Sequence, residues 1–296
     1  MLLSKSFKIG FIGAGKMGGA IIKGLVSAGH PSENIFVSEK SKSTLSDLVN
    51  NLHIKPVQKS TDAASSSDAI IVAVHPNQFA DVLNEIKSFV KNKKPVISVA
   101  GGLQCKTLES YLNSPVVRVM PNICAEVCES VSAITANKNT PKNDVDTAES
   151  IFNMVGQTLH IKEDLFDAFS GVAGCGLAYI FPIIEAMADG AVLEGIDRSS
   201  AIRLAAQTVA GAGKLAVLTG KHPGPLKDDV CSPGGCTIEG VKTIEEHGVR
   251  AAYMNAVISA VEKSKRMANQ WIFFFYQNTD FIWALNINAN LRKAII

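Results

Sequence analysis

The sequence predicts an α/β fold in which an N-terminal, doubly wound parallel sheet is followed by an all-helical domain. Two observations carry this prediction. In residues 1–163, short runs of Val, Ile and Ala alternate with segments of helical periodicity, as in parallel sheets that helices cover on both faces. From residue 164 onward the strand runs fade, and long stretches rich in Ala, Gly and Leu replace them.

The first strand and helix enclose a glycine-rich loop. Residues 7–12 form a short apolar run that predicts a buried strand, and a helical pattern follows the loop up to a stop at Gly29. Between them, Gly13, Gly15 and Gly18 fit the pattern G-x-G-x-x-G. At a junction of strand and helix this pattern predicts a Rossmann-type dinucleotide-binding domain. The first glycine makes a tight turn, the second lets a pyrophosphate approach the backbone, and the third lets the helix pack on the strand.

The end of the second predicted strand bears on the choice between NAD and NADP. Glu39 lies there, and a carboxylate at this position binds the ribose 2′-hydroxyl and repels a 2′-phosphate. The flanking Ser38, Lys40, Ser41 and Lys42 offer the hydroxyls and cations that a 2′-phosphate would bind. The sequence therefore predicts NADPH or NADH without choosing between them, and a solvated turn that binds nothing is the alternative.

Two later strands end in loops at the same edge of the predicted sheet. Ligands of open α/β sheets lie outside the carboxyl ends of the strands, so we expect both loops to form walls of the nicotinamide ribose site. We interpret His75 as facing the cofactor or solvent rather than as a general acid, because the sequence supplies no carboxylate to orient it. The expected wall residues are Ala73, Val74, His75, Pro76, Val99, Ala100 and Gly101.

Charge and cysteine content argue against several classes of function. The chain has 29 Lys and Arg against 27 Asp and Glu, and no segment concentrates the basic residues, so we expect no nucleic-acid binding. No secretory leader precedes the first strand, which predicts a cytoplasmic protein with six reduced cysteines. No His stands at zinc-site spacing from these cysteines, so we expect no metal. No uninterrupted apolar run reaches the ~18 residues of a membrane span, so we expect no membrane association.

The helical stretches after residue 164 are apolar on more than one face. Such helices must be buried, and the small residues among them allow close helix packing. A region of this size cannot bury three such helices alone, which predicts a domain that dimerises. The predicted domains are residues 1–163 for dinucleotide binding, residues 164–267 for helical dimerisation and substrate binding, and residues 268–296 as an atypical C-terminal extension.

A second loop of Ser, Pro, Gly and Thr lies late in the chain. The segment SPGGCT, residues 232–237, leads into a helical stretch that Thr237 is expected to cap. Free amides at the start of a helix, with two hydroxyls beside them, suit a carboxylate or a phosphate. An ordinary cap before a core helix explains the same residues, and spacing alone leaves both interpretations open.

The β-hydroxyacid dehydrogenases resemble the chain in part. They share the N-terminal GFIG.G.MG pattern and a later helix of the form G-x-x-G-x-G-x-x-x-K-x-x-N, whose lysine is the acid for carbonyl reduction. In this sequence the helix pattern begins at Gly171, and Ile180 and Ile183 stand where the lysine and asparagine would fall. A hydroxyacid dehydrogenase of that family would therefore lack its catalytic acid.

A longer likeness identifies the chain as resembling the pyrroline-5-carboxylate reductases. The segment HPGPLKDDVCSPGGCTIEGVKTIEEHGVRAA, residues 222–252, follows the signature of that family. The likeness continues in GFIGAGKMGGAI, AVHP, VRVMPN and SGVAGCGLAY, so it spans residues 7–267. The resemblance implies NAD(P)H-dependent reduction of the C=N bond of 1-pyrroline-5-carboxylate to L-proline, the last step of proline biosynthesis. It also implies a homodimer that is often assembled into a larger ring. The alternatives are another imine or β-hydroxyacid reductase of the same architecture, or a non-catalytic dinucleotide-binding regulator.

The same resemblance implies roles for individual residues. Those that hold the cofactor are Ile12, Gly13, Ala14, Gly15, Lys16, Met17, Ser38, Glu39 and the seven wall residues above. The substrate carboxylate is bound by Ser232 and the amides near Gly235, Cys236 and Thr237, and the Thr237 hydroxyl lies near the ring nitrogen. Because an iminium accepts hydride without a strong acid, positioning carries most of the catalysis, and Thr237 is the expected hydrogen-bond partner or proton relay.

Among the departures from the family pattern, three concern expected site residues. His75 replaces a usual lysine, Glu39 stands where a small polar residue is common, and Cys236 occupies a position often taken by Thr or Ala. The first two bear on cofactor preference rather than on the reaction.

Overall fold

The computed structural model describes residues 3–90, 94–112 and 114–277, which form two compact units. The first unit contains residues 3–174 and 262–277, and the second contains residues 175–261. The predicted domain boundary between residues 163 and 164 stays a prediction. Of the predicted C-terminal extension, residues 268–277 are the end of a helix, and residues 278–296 lie outside the described part of the chain.

The first unit is built on an eight-stranded sheet with the strand order β3-β2-β1-β4-β5-β6-β7-β8. Every neighbouring pair is parallel except β6 and β7. In the centre, Ile9 of the first strand lies between Ile35 and Ala69 of its two neighbours. The strands are β1 (Ile9–Ile12), β2 (Ile35–Ser38), β3 (Lys55–Pro56), β4 (Ala69–Val72), β5 (Val96–Ser98), β6 (Val116–Met120), β7 (Ser130–Ala136) and β8 (Gly156–His160).

The antiparallel strand β7 departs from the all-parallel sheet that the sequence predicts. Only residues 121–129 connect β6 to β7, and parallel pairing would require a crossover of a dozen residues or more. Helix α6 (Lys142–Asn153) provides such a crossover between β7 and β8, which pair in parallel. Connection length therefore decides the direction of both pairs.

Helices cover both faces of this sheet, as predicted. Along β4, Ile71 packs into one apolar core, whereas Ile70 and Val72 pack into the other. The first core takes side chains from α1, α2 and α6, and the second from α3, α4 and α5. The helices of this unit besides α6 are α1 (Lys16–Ser27), α2 (Lys42–Leu52), α3 (Ser60–Ser66), α4 (Phe79–Val90), α5 (Cys105–Leu112) and α7 (Phe166–Phe169).

The second unit is helical and buries little of its own apolar surface. Its fully buried side chains are three alanines, Ala188, Ala201 and Ala205, where α8 packs on α9. By contrast, Leu193 is 86% exposed and Leu218 is 75% exposed. The helices are α8 (Gly176–Leu193), α9 (Arg198–Thr219), α10 (Pro223–Asp228), α11 (Cys236–Glu246) and α12 (Val249–Gln277), the last of which ends in the range of the first unit.

Two helical segments are long and apolar enough to cross a membrane by length and composition alone. They are Glu163–Leu193 and Arg198–Thr219, and only 17% and 11% of their most apolar windows are buried. Neither segment is an uninterrupted apolar run, but each contains an 18-residue window whose mean hydropathy is high enough for a membrane span. Length and composition do not separate a membrane-spanning helix from one that a protein partner covers.

Candidate cofactor and substrate sites

The glycine-rich loop between β1 and α1 makes a turn that requires its first glycine. Gly13 has a φ of +88°, in the left-handed region that side chains disfavour. A Cβ at this residue would lie 2.8 Å from the carbonyl oxygen of Ala73. The Gly13 amide donates a 2.9 Å hydrogen bond to the carbonyl of Ser38. The loop is thereby held between the ends of β2 and β4.

The other two glycines of the pattern bring the helix close to the loop. A Cβ on Gly18 would lie 2.5 Å from the carbonyl oxygen of Gly13, so only glycine permits this approach. Gly15 is the N-cap of α1, makes no side-chain capping bond, and has open space where a Cβ would stand. No acidic residue lies in the first turn of this helix. Its free amides and positive end therefore suit a pyrophosphate group.

A cavity of about 410 Å³ opens at the carboxyl ends of β1, β2 and β4. Eight of the expected cofactor residues line it, namely Ile12, Gly13, Gly15, Ser38, Glu39, Ala73, Val74 and His75. Ala14 reaches it through a hydrogen bond to Glu39, while Lys16 and Met17 begin α1 and Pro76 begins a short 3-10 helix. Val99, Ala100 and Gly101 follow β5 and do not line this cavity.

Sequence reasoning missed part of the cavity wall. Gln58, Lys59 and Ser60 contribute to it from the segment after β3. That edge strand has only two residues, both exposed, so no periodic pattern revealed it. Gln78 and Glu85 add polar groups from the segment that follows β4.

Glu39 is fixed in this cavity by two backbone amides. Its Oε2 accepts a 2.6 Å hydrogen bond from the Ala14 amide in the glycine loop, and its Oε1 accepts a 2.8 Å bond from the Ser41 amide. The Ser41 hydroxyl caps α2 by accepting from the Thr44 amide at 3.3 Å. The half-buried carboxylate therefore stands between the loop and the start of α2.

His75 lines the cavity with an exposed side chain. Its Nδ1 lies 3.0 Å from Oδ1 of Asn77, which is an amide oxygen. This position fits the interpretation of His75 as a residue that faces the cofactor or solvent.

The late loop lies in the second unit and forms a tight turn. The Gly235 amide donates a 3.0 Å hydrogen bond to the Ser232 carbonyl, and Gly234 has a φ of +65°. Proline at the second position and a left-handed glycine at the third are typical of a type II turn. The helix α11 begins directly after it, at Cys236.

The prediction that Thr237 caps this helix was wrong. Gly235 is the N-cap, no side chain caps the helix, and Thr237 lies inside the first turn. The turn at Ser232–Gly235 starts the helix one residue before Thr237, which leaves its hydroxyl outside the capping position. The Ser232 hydroxyl lies beside the helix start, since a Cβ on Gly235 would be 2.4 Å from its Oγ. Free amides, Ser232 and Thr237 thus gather on an exposed helix end, an arrangement that can bind a carboxylate.

The α8 helix contains a tyrosine that sequence reasoning did not assign. The Tyr179 hydroxyl donates a 3.3 Å hydrogen bond to the Ala256 carbonyl, and the Tyr253 hydroxyl donates one of 3.4 Å to the Tyr179 carbonyl. Desolvation, with a smaller effect of the neighbouring Cys175, raises the pKa of the Tyr179 phenol. These reciprocal bonds hold α8 against α12 within the second unit.

Two family models match the chain. One, described as pyrroline-5-carboxylate reductase dimerisation, matches residues 163–267. The other, described as NADP oxidoreductase, coenzyme F420-dependent, matches residues 8–102. The first match includes the loop at residues 232–237, and the second includes the glycine loop and all the residues that line the cavity.

Several relatives align over most of the chain. Pyrroline-5-carboxylate reductase from Methanosarcina acetivorans is 49% identical over 89% of this chain and 98% of its own length. The Arabidopsis thaliana and Escherichia coli enzymes of that name are each 39% identical, over 90% and 88% of this chain and 97% and 98% of their own lengths. The crystal structure of Plasmodium falciparum pyrroline carboxylate reductase with NADP bound is 33% identical, with a TM-score of 0.79, and covers 90% of this chain and 100% of that one.

Proposed function

Since the chain belongs to the pyrroline-5-carboxylate reductase family, we propose how its two sites carry out the reaction of that family. The chain is an oxidoreductase that reduces 1-pyrroline-5-carboxylate to L-proline with a reduced nicotinamide cofactor. The observation that carries this function is 49% identity over 89% of the chain to a relative of that name. In our proposal the first unit holds the dinucleotide and the loop at residues 232–237 holds the substrate.

The residues of the first unit fit a dinucleotide. The uncapped start of α1 and the open space at Gly15 suit a pyrophosphate, and the cavity beyond them is large enough to take a ribose and part of a base. The family model that matches residues 8–102 names NADP in its description, which supports a nicotinamide dinucleotide, NADPH or NADH, as the cofactor. When bound, the reduced nicotinamide supplies the hydride.

The loop of the second unit is proposed to bind the carboxylate of the substrate. The helix α11 presents amides that no side chain caps, and the Ser232 hydroxyl lies next to them. The Gly235 amide is engaged in the turn, whereas the Cys236 and Thr237 amides at the start of the helix are available to an anion, which the positive end of the helix also attracts. Thr237 is proposed as the catalytic residue, with its hydroxyl hydrogen-bonded to the ring nitrogen.

Thr237 needs only to position the substrate and relay a proton. A protonated imine already carries positive charge at the C=N bond, so its carbon accepts hydride without a strong acid. This chemistry agrees with Ile180 and Ile183, which cannot donate protons at the positions where hydroxyacid dehydrogenases place lysine and asparagine. Holding the iminium in one orientation then provides most of the rate enhancement.

Initial-rate kinetics test the proposed reaction against its alternatives. We expect the protein to oxidise NADPH or NADH when 1-pyrroline-5-carboxylate is supplied. With small β-hydroxyacids and the oxidised cofactors, we expect no reduction of NADP or NAD. A higher kcat/KM for pyrroline-2-carboxylate would indicate a different imine reductase. Cofactor binding without turnover of any of these compounds would indicate a non-catalytic regulator.

Substitution of Thr237 tests its role. Thr237→Ala removes the hydroxyl from an exposed position, so we expect a folded protein whose kcat/KM falls on the order of 10²-fold. Thr237→Ser retains the hydroxyl and should recover most of the activity. An unchanged kcat/KM in Thr237→Ala would remove this residue from the mechanism.

The match of residues 163–267 to a dimerisation domain supports a homodimer. A larger ring of dimers is our further proposal, and light scattering of the purified protein tests it. The cytoplasmic location stays a prediction from the cysteine content and the sequence before the first strand.

A further inference from the structure

We propose that Glu39 makes this chain prefer NADH to NADPH. This inference rests on the proposed function, because it concerns the cofactor of the same reaction. Glu39 lies at the end of β2 and lines the cavity beside the glycine loop. In dinucleotide-binding folds this is where the ribose hydroxyls of the adenosine meet the protein, and where NADP carries its additional phosphate.

The hydrogen bonds around Glu39 use the donors that a 2′-phosphate would need. The amides of Ala14 and Ser41 both donate to the Glu39 carboxylate, at 2.6 and 2.8 Å. The Ser41 hydroxyl is engaged with Thr44 at the start of α2, where it accepts from the Thr44 amide and hydroxyl. A phosphate placed here would have to displace the carboxylate from these amides or remain without them. A ribose hydroxyl would instead donate to the carboxylate as it stands.

The charges that line the cavity do not compensate for Glu39. Among the described lining residues, Glu39 and Glu85 oppose Lys40 and Lys59, and no arginine is present. Both lysines are exposed, so water screens their ammonium groups, whereas the Glu39 carboxylate is half-buried and held in place. A 2′-phosphate would therefore meet a fixed negative charge and two mobile positive ones.

The Plasmodium falciparum relative is described with NADP bound, so the fold itself does not exclude the phosphate. In this chain Glu39 lowers the affinity for NADPH relative to the affinity for NADH without excluding either cofactor.

The binding of two fragments that contain the adenosine end of the cofactor tests the role of Glu39 independently of the reaction. The probes are ADP-ribose and its 2′-phosphorylated form, titrated into the full-length protein by calorimetry. At an effective dielectric of about 20 and with screening by salt, repulsion between the Glu39 carboxylate and a 2′-phosphate corresponds to roughly a tenfold difference in affinity between the two probes. We expect the wild type to bind ADP-ribose at least about tenfold more tightly than the phosphorylated probe.

Three variants assign the difference to Glu39. Glu39→Gln keeps the size of the side chain and removes its charge, and Glu39→Ser also frees the Ala14 and Ser41 amides. Both should bring the ratio of affinities to about one or reverse it. Glu33→Gln removes an exposed carboxylate just before β2 and should leave the ratio unchanged.

Two results would overturn the inference. One is a wild type that binds the phosphorylated probe more tightly, and the other is an unchanged ratio in Glu39→Gln. Steady-state kcat/KM values with NADH and NADPH should follow the binding ratios. If no cofactor supports turnover of 1-pyrroline-5-carboxylate while the binding ratios behave as expected, the proposed function fails and the role of Glu39 stands.

Discussion

Single glycines in the first helix serve two different purposes. Gly24 is buried on α1, and a Cβ there would lie 1.9 Å from the carbonyl oxygen of Ala125 and 2.9 Å from a methyl of Val155. Gly15, at the start of the same helix, has open space at the Cβ position and a φ of −60°. The first glycine therefore permits packing, while the second leaves room for a ligand.

This contrast predicts opposite effects of the same substitution. Gly24→Ala forces the helix away from its neighbour, so we expect a loss of about 1–3 kcal/mol in the free energy of unfolding with little direct effect on the ligand site. Gly15→Ala should cost less than about 1 kcal/mol, because alanine is only a poorer N-cap, but should weaken NADH binding. Denaturant unfolding and calorimetric titration of both variants provide the check. An NADH affinity of Gly15→Ala equal to that of the wild type would contradict the proposed pyrophosphate position.

Residue spacing predicted some of these features and not others. The pattern of Gly13, Gly15 and Gly18 identified the loop, since left-handed backbone and close packing both demand glycine. The bonds from Glu39 to the Ala14 and Ser41 amides depend on loop geometry that no spacing encodes.

At the scale of elements, a partly buried ion pair connects three segments of the first unit. Arg118 on β6 is buried, with its side chain 5% exposed, and donates a 3.0 Å hydrogen bond to Glu163. The same Glu163 oxygen accepts a 2.7 Å bond from the Cys105 amide at the start of α5. The guanidinium carbon lies 4.4 Å from the centre of the Phe166 ring. Burial and the nearby Glu163 raise the pKa of the Cys105 thiol to about 12, so this cysteine stays protonated.

Removal of the carboxylate should destabilise the first unit. Glu163→Ala leaves the Arg118 charge buried without its partner, and we expect a loss of about 3 kcal/mol in unfolding free energy. Glu163→Gln retains an acceptor and should lose less. The exposed pair of Lys23 and Glu126 is the matched comparison, and Glu126→Ala should cost less than about 1 kcal/mol. Equal losses in Glu163→Ala and Glu126→Ala, measured by denaturant unfolding, would contradict this account.

The sequence predicted the elements of the first unit unevenly. Strands β1 and β4 are continuous apolar runs, and β6 is apolar except for Arg118, so the apolar pattern predicted all three. Strand β3 is too short to show a pattern, and β8 contains largely exposed residues. The direction of β7 follows from the length of its connection to β6, which a strand pattern does not report.

At the scale of the whole molecule, the second unit leaves extensive apolar surface uncovered. On α9, Leu215 is 51% exposed and Leu218 is 75% exposed. The match of residues 163–267 to a dimerisation domain supports a homodimer, so we expect a second copy of the chain to cover these side chains. The sequence predicted this requirement correctly, since helices that are apolar all round cannot remain in water.

Charges on this surface should weaken the dimer. Two leucines contribute roughly 3–6 kcal/mol when buried, so Leu215→Glu with Leu218→Glu should raise the dimer dissociation constant on the order of 100-fold or more. Lys214→Glu changes the charge of the neighbouring exposed position without removing apolar area and should leave the dimer intact. Sedimentation equilibrium of the two variants and the wild type tests this. A wild type that is monomeric at micromolar concentrations would contradict the prediction.

The transfer of hydride to the C=N carbon is the central claim, and isotope labelling tests it most directly. The protein is incubated with 1-pyrroline-5-carboxylate and a reduced nicotinamide cofactor that carries deuterium at both hydrogens of its transfer carbon. We predict L-proline that contains one deuterium at the former imine carbon, detected by mass spectrometry and nuclear magnetic resonance. Absence of proline, or proline without deuterium, would contradict the account.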